Sequence, residues 1–216
     1  MLKSLIFDFD GLILDTETPE FNVLQEIYAE YGAELSIEKW GQIIGGSGAV
    51  HFDPVADLEQ ILGKKLPRQR VLDAWRAKAD ALIAANPILP GVMDIVDEAQ
   101  NRGLSLAIAS SSEHWWVDGH LKRLGIFERF EHIICSEDVT RTKPSPELFL
   151  LTLSKLNTRA EQAVVFEDSP NGVKAARRAG IFVVAAPNPI TALLAFNPPP
   201  SLMLSSLLYF SFGKLS

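Results

Sequence analysis

Asp8 and Asp10 stand two residues apart at the end of an apolar run, Leu5-Ile6-Phe7-Asp8-Phe9-Asp10-Gly11. In an extended chain, side chains at i and i+2 point to the same side, so the two carboxylates can converge on one point. Carboxylates brought that close repel unless a cation, a shared proton or solvent separates them. Asp-Gly is also a common turn pair, so this stretch alone is equally well described as a strand fraying into a polar turn. Three further clusters shift the balance. Ser110-Ser111-Ser112 follows the apolar run 104–109, Glu167-Asp168-Ser169 follows the run 163–166, and Lys143 lies in Arg141-Thr142-Lys143-Pro144-Ser145-Pro146.

If Asp8, Asp10, Glu167 and Asp168 occupy neighbouring strand ends, a hard divalent cation is the simplest neutraliser. Mg²⁺ takes carboxylate oxygens while keeping several waters. A hydroxyl from the serine cluster and backbone amides at a helix start suit phosphate oxygens. Lys143 by itself would be read as an exposed surface lysine. Beside the other clusters it becomes the non-metal cation, because Pro144 denies it helical geometry and leaves it in a loop before a helix. This combination suits phosphoryl transfer through an acyl phosphate. One aspartate attacks phosphorus; the other protonates the leaving oxygen and then activates water.

The elements that must position these groups alternate. Strand 2–7 is followed by helical spacing at Phe21, Leu24, Ile27, Tyr28 and Tyr31, ended at Gly32. A short segment spans 37–44, and Gly45-Gly46-Ser47-Gly48 reads as a connector that lacks the dinucleotide pattern. Asp53-Pro54 opens a helix closed by Gly63, and a longer helix covers 67–85. From Leu89 onward, helices at 91–102, 113–124, 146–156 and 170–179 alternate with strands at 104–109, 132–135, 163–166 and 181–185. The tail from Leu202 reads as a final short strand and helix. Repeated βα units imply an α/β fold, a doubly wound Rossmann-like parallel sheet, with a helical cap domain inserted. Residues 1–16 and 87–216 would form the core and 17–86 the cap. Ligands of such sheets bind at the carboxyl ends of the strands, where Asp8 with Asp10, Ser110 to Ser112, and Glu167 with Asp168 all fall.

Composition bounds the partners. The chain has 216 residues, 47% hydrophobic and 22% charged, an ordinary mix for a soluble globular protein. A net charge of −7 argues against nucleic acid as the main partner, although a local cation can still dominate an anion site. Cys135, the lone cysteine, sits in an apolar run and reads as an inert buried thiol. No basic-then-apolar leader is evident, and the greasy stretch 202–212 is shorter than a bilayer span of about 20 residues. A cytoplasmic, monomeric enzyme acting on a small phosphorylated metabolite, without a membrane, fits these facts.

Asp8-Phe9-Asp10-Gly11-Leu12-Ile13-Leu14-Asp15-Thr16, Ser110, Lys143-Pro144 and Glu167-Asp168-Ser169 resemble, in order, the four motifs of the haloacid dehalogenase-like hydrolase superfamily. The resemblance spans essentially the whole chain and is nearest the branch with a helical cap, which includes β-phosphoglucomutase and phosphoglycolate phosphatase. It implies that Asp8 is the nucleophile and Asp10 the acid/base. Ser110, with Ser111 beside it, and Lys143 would hold the transferring phosphate. Asp8, the backbone carbonyl of Asp10, Glu167 and Asp168 would bind Mg²⁺, with Glu167 acting directly or through water. Asp15 and Thr16 would shape the entrance or form the hinge.

Rival activities leave marks that can be checked. The mutase pattern carries a histidine where Glu20 stands, an arginine in the loop 45–50, and Lys-Asn where Glu113-His114 stands. Losing those cations weakens the grip on a sugar bisphosphate, so a phosphatase is favoured over a mutase. Dehalogenases of the superfamily lack the second aspartate, which Asp10 supplies. A phosphoacceptor signalling module would be smaller and without the insert. Substrate choice would fall to the cap, through the loop containing Gly46 and His51 and through Glu17 and Glu20. Trp115 and Trp116 wall the entrance or pack a helix, and Arg76 and Lys78 steer anions or form a solvated face.

Overall fold

A computed structural model describes residues 1–41, 44 and 52–215 of the chain. The strands are β1 (Ser4–Phe7), β2 (Ser105–Ala109), β3 (His132–Ile134), β4 (Ala163–Glu167), β5 (Phe182–Ala185) and β6 (Leu202–Met203). They form one sheet in the order β3-β2-β1-β4-β5-β6. Every neighbouring pair is parallel. The chain runs outward from β1 to β3, then returns to the other side of β1 as β4. The carboxyl ends of β1 and β4 therefore flank the crevice where such sheets take their ligands.

Register brings the functional segments level. Phe7 pairs with Ile108 on one side and Phe166 on the other. The residues that follow, Asp8, Ser110 and Glu167, leave the sheet within about one residue of the same height. All four residues of β1 and all five of β4 are buried, as expected for central parallel strands covered on both faces. Alternation divides them between two cores. Leu5 and Phe7 pack with Ile108, Val164 and Phe166, whereas Ile6 faces Val165, Val173, Val183 and Phe149. The Phe7 and Phe166 rings stack at 4.8 Å between centroids.

The helices are α1 (Glu17–Glu30), α2 (Ile37–Trp40), α3 (Pro54–Leu62), α4 (Arg68–Ala85), α5 (Val92–Asn101), α6 (His114–Arg123), α7 (Glu147–Lys155) and α8 (Pro170–Arg178). The first four form the insertion. Trp40 lies 6.0 Å from both Phe21 and Trp75, the Trp75 indole donates to the Glu20 carbonyl, and Tyr28 Oη donates to the Pro54 carbonyl at 2.6 Å. Asp53 caps α3 by accepting from the Val55 and Ala56 amides. The chain leaves and re-enters the core through a paired neck. Leu14 bridges Ile88, the Leu89 amide donates to the Ile13 carbonyl, and Asn86 Nδ2 donates to the Asp15 carbonyl. Asp15 also accepts from the Thr18 amide, so its carboxylate sets the start of α1.

The tail supplies the expected short strand as β6 but not the helix expected after it. After β6 it makes isolated 3-10 turns at Leu207–Tyr209 and Phe212–Leu215. Ser206 Oγ caps the first turn, and serine and glycine interrupt any longer helix. Between the turns, Phe210 packs edge-on against Phe166 at 4.9 Å between centroids. Among the described residues no helix is long and apolar enough to cross a membrane.

Candidate active site

Asp8 follows β1 directly and is 3% exposed. Its Oδ1 lies 2.6 Å from Lys143 Nζ, which lies 2.7 Å from Glu167 Oε1. Glu167 ends β4, and Asp168 follows it. One oxygen from each of Asp8, Glu167 and Asp168 falls within a 4.8 Å cluster. All three residues and Lys143 are buried.

Local geometry holds each group. Glu167 Oε2 accepts from the Asp168 and Ser169 amides and from Ser169 Oγ. Ser169 Oγ in turn accepts from the Gly172 amide and caps α8. A Cβ at Gly172 would meet Glu167 Oε1 at 1.8 Å, so this turn of α8 must be bare for the carboxylate to fit. Asp168 Oδ2 accepts from Asn188 Nδ2 at 2.8 Å. Gly11 has φ +74°, and a Cβ there would fall 2.3 Å from Asp168 Oδ2. The Asp-Gly turn therefore serves both the left-handed backbone and the close approach of Asp168.

Three carboxylates share one ammonium, and the electrostatics register the deficit. Burial, then Glu167, pushes the Asp8 carboxyl up to about 8, against the pull of Lys143. Asp168 is raised well above the usual carboxylate range by burial and by Glu167. Burial opposes the Lys143 charge, but Asp8 and Glu167 outweigh it and hold the amine above its ordinary value. Hard oxygen donors in a buried cluster short of positive charge fit a hard divalent cation.

Asp10 is held apart from that cluster. Its Oδ1 accepts from Trp116 Nε1 at 2.8 Å, and its Oδ2 accepts from Ser112 Oγ at 2.6 Å and Ser110 Oγ at 3.3 Å. The two aspartates thus occupy one mouth, close enough for Asp10 to add to the upward push on Asp8, while their carboxylates bond to different partners.

A cavity of about 590 Å³ opens over these groups. Asp8, Asp10, Ser110, Ser111, Ser112 and Lys143 form its core wall. Glu17, Glu20, Trp40, Trp75, Arg76 and Asp80 line it from the insertion. Burial and Asp10 push Glu17 up to about 8, and burial and Asp80 push Glu20 up to about 7. Asn171 of α8 donates to the Ile44 carbonyl, tying the insertion to the β4 side.

Asp8, Asp10, Ser110, Ser111, Lys143, Glu17 and Glu20 are thus brought to one cavity, with Glu167 and Asp168 behind Asp8. Gly46 and His51 lie outside the described residues. Lys78 pairs with Glu26 on the surface, away from the anion-steering role considered for it. Trp115 is exposed at the rim. Cys135 is buried, and burial raises its thiol, in keeping with an inert side chain.

Sequence reasoning named Ser112 only as part of the serine cluster, overlooked Asn188 and Gly172, and left Trp116 between two roles. Asn188 follows the end of β5, the same position that marks the other groups. Its Asn-Pro pair reads first as a turn.

Comparison with known proteins places these features in context. The haloacid dehalogenase-like hydrolase family model matches residues 5–186. YhcW of Bacillus subtilis, named as a phosphatase, is 44% identical over 197 residues, covering 91% of this chain and 89% of that one. The phosphorylated carbohydrates phosphatase of Thermotoga maritima is 30% identical over 183 residues, covering 83% of this chain and 82% of that one. A CbbY variant from Rhodobacter sphaeroides, solved with xylulose-(1,5)bisphosphate, superposes with a TM-score of 0.74 at 25% identity, covering all of both chains.

Proposed function

The chain belongs to the haloacid dehalogenase-like hydrolase family, and we propose that it is a Mg²⁺-dependent phosphatase of small phosphorylated metabolites, working through an aspartyl phosphate on Asp8. The observation that carries this reading is the placement of Asp8. Its carboxylate joins Lys143 to the Glu167 and Asp168 cluster at the floor of the cavity, with Asp10 beside it.

Asp8, Glu167 and Asp168, with the backbone carbonyl of Asp10, would hold Mg²⁺. When bound, the ion supplies the missing positive charge that favours ionised Asp8 and draws in phosphate oxygens. Lys143 and the hydroxyls of Ser110 and Ser111 orient the phosphoryl group. An oxygen of Asp8 bonds to phosphorus while the bond to the leaving oxygen breaks, and that electron pair leaves with the oxygen. Asp10 gives the leaving oxygen its proton. Asp10 then takes a proton from water as the water oxygen attacks phosphorus. The Asp8–phosphorus bond breaks, restoring the carboxylate and releasing inorganic phosphate.

Residues 17–86 are read as a cap that excludes bulk water and selects the substrate. Among the described lining residues the cations are Lys143 and Arg76, and Arg76 lies near the acidic Glu20. That leaves little to grip a second phosphate, which supports hydrolysis over mutase chemistry. Carboxylates and tryptophans on the insertion side suit a hydroxyl-rich substrate, in line with the carbohydrate named for the Thermotoga relative.

The test is a phosphate-release screen over sugar phosphates, phosphoglycolate and nucleotides. Chelator-treated protein is expected to be inactive and Mg²⁺ to restore turnover without isomerising the sugar. Equal turnover with and without the ion would sink the reading. Gly172→Ala gives a sharper check on the Glu167 end. Its methyl would displace the carboxylate, and the Mg²⁺ concentration for half-maximal activity is expected to rise about 10- to 100-fold. An unchanged Mg²⁺ titration would remove Glu167 from the ion's ligands.

A further inference from the structure

We propose that Trp116 positions Asp10 for proton transfer by fixing which of its two carboxylate oxygens exchanges the proton. This rests on the phosphatase reading above and goes beyond it by assigning a role to a residue outside the four motifs.

The two oxygens of Asp10 have chemically different neighbours. Oδ1 meets the Trp116 indole N–H, which can only donate. Oδ2 meets the hydroxyls of Ser112 and Ser110, which can donate or accept. When Asp10 is ionised, all three groups donate to it. When it is protonated, a hydroxyl can turn to accept from Oδ2, whereas the indole cannot turn. Oδ1 therefore stays an acceptor in both states, and Oδ2 holds and releases the proton.

The indole is itself held in place. Its ring meets His120 edge-on at 4.3 Å and Trp115 at 5.7 Å. Trp116 lies in the first turn of α6, with its amide donating to the Glu113 carbonyl. That turn follows directly on the loop bearing Ser110 and Ser112, whose own order is fixed by the Ser112 amide donating to Ser110 Oγ. One short segment thus carries both a phosphate-facing hydroxyl and the donor that aims the acid. A phosphoryl group arriving at Ser110 competes with Asp10 for that hydroxyl. Oδ2 loses a donor and is freed toward the leaving oxygen, while Trp116 keeps the carboxyl group from swinging away. As the bond to phosphorus breaks, the proton passes from Oδ2 to the departing oxygen.

Trp116→Phe keeps the ring and removes the N–H. Mg²⁺-loaded parent and variant are assayed on phenyl phosphate and p-nitrophenyl phosphate. The nitrophenolate leaves with less need of a proton, so weakened acid catalysis penalises phenyl phosphate more. The expected result is a roughly tenfold fall in the ratio of the phenyl to the p-nitrophenyl kcat/KM, which reports the step in which the leaving oxygen departs and not the later water attack that both esters share. The ratio does not depend on how much of a preparation is folded, so an unstable variant still gives an answer. Equal losses on both esters, or none, would make Trp116 a packing residue and overturn the inference. A parent inactive on both esters would overturn the phosphatase reading with it.

Discussion

Asp8→Asn is expected to abolish turnover, by about 10⁴-fold or more, and to leave the protein folded with no loss of stability at pH 8. The catalytic half follows from the role of the group: an amide oxygen cannot form the covalent intermediate, and losing a nucleophile costs on that scale. The stability half follows from the surroundings of Asp8. Its carboxyl is pushed from the ordinary 3.8 up to about 8, first by burial and then by Glu167. A carboxyl raised in this way favours the folded state less as pH climbs from about 4 to about 8, because the unfolded chain ionises first. A neutral isostere removes that penalty. Metal-free Asp8→Asn is therefore expected to melt at or above the parent temperature at pH 8, and the difference is expected to shrink toward pH 4. Phosphate release and thermal melts on the same preparation check both halves. A variant that turns over phosphoesters like the parent removes Asp8 from the chemistry. One that melts well below the parent at pH 8 removes the charge deficit as the governing feature of the site.

Much of this site could be read from the chain because the motifs sit where alternation stops. Apolar β1 ends at Asp8, β2 at Ser110 and β4 at Glu167, and a parallel sheet places all three ends on one edge. The helical period of α1 and α4 and the Asp53-Pro54 start of α3 were likewise local signals. Contacts between residues far apart in sequence leave no such trace. Nothing about Trp116 alone says that its indole reaches Asp10, 106 positions earlier, or that Asn188 reaches Asp168. The bare face of Gly172 is similar: a helix glycine reads as a weak helix former until Glu167 is seen against it. The tail's strand formed as β6, but its helix failed for a different reason. Its hydrophobic residues suggested an element, but their packing on Phe166 needs only short turns.

Lys143→Met tests the opposite sign of the same charge balance. Lys143 is 1% exposed, and it stands between Asp8 and Glu167 with its amine 5.3 Å from the Phe149 ring centroid. Methionine roughly matches its length and fits an apolar wall, so the cost lies in the missing charge and not in a cavity. Removing one partner of a buried ion pair typically costs about 3–5 kcal/mol, because the other charge is left without compensation. Here three carboxylates would be left. The loss should depend on pH through them and not through the lysine. The Lys143 amine is held above its ordinary 10.5, so it is charged in both folded and unfolded chains across pH 5 to 9. Without it, Asp8 and Asp168, already raised, take up protons more readily as pH falls, which relieves the repulsion. Metal-free Lys143→Met is therefore expected to show a large drop in urea midpoint at pH 8.5 and a much smaller one at pH 5.5. Mg²⁺ at pH 8.5 should restore part of the stability by returning positive charge to the cluster. It should not restore turnover, because in the proposed mechanism the ammonium also orients the transferring phosphate. Equal destabilisation at both pH values would show that Lys143 holds the site by packing, and full activity with Mg²⁺ would remove it from phosphate binding.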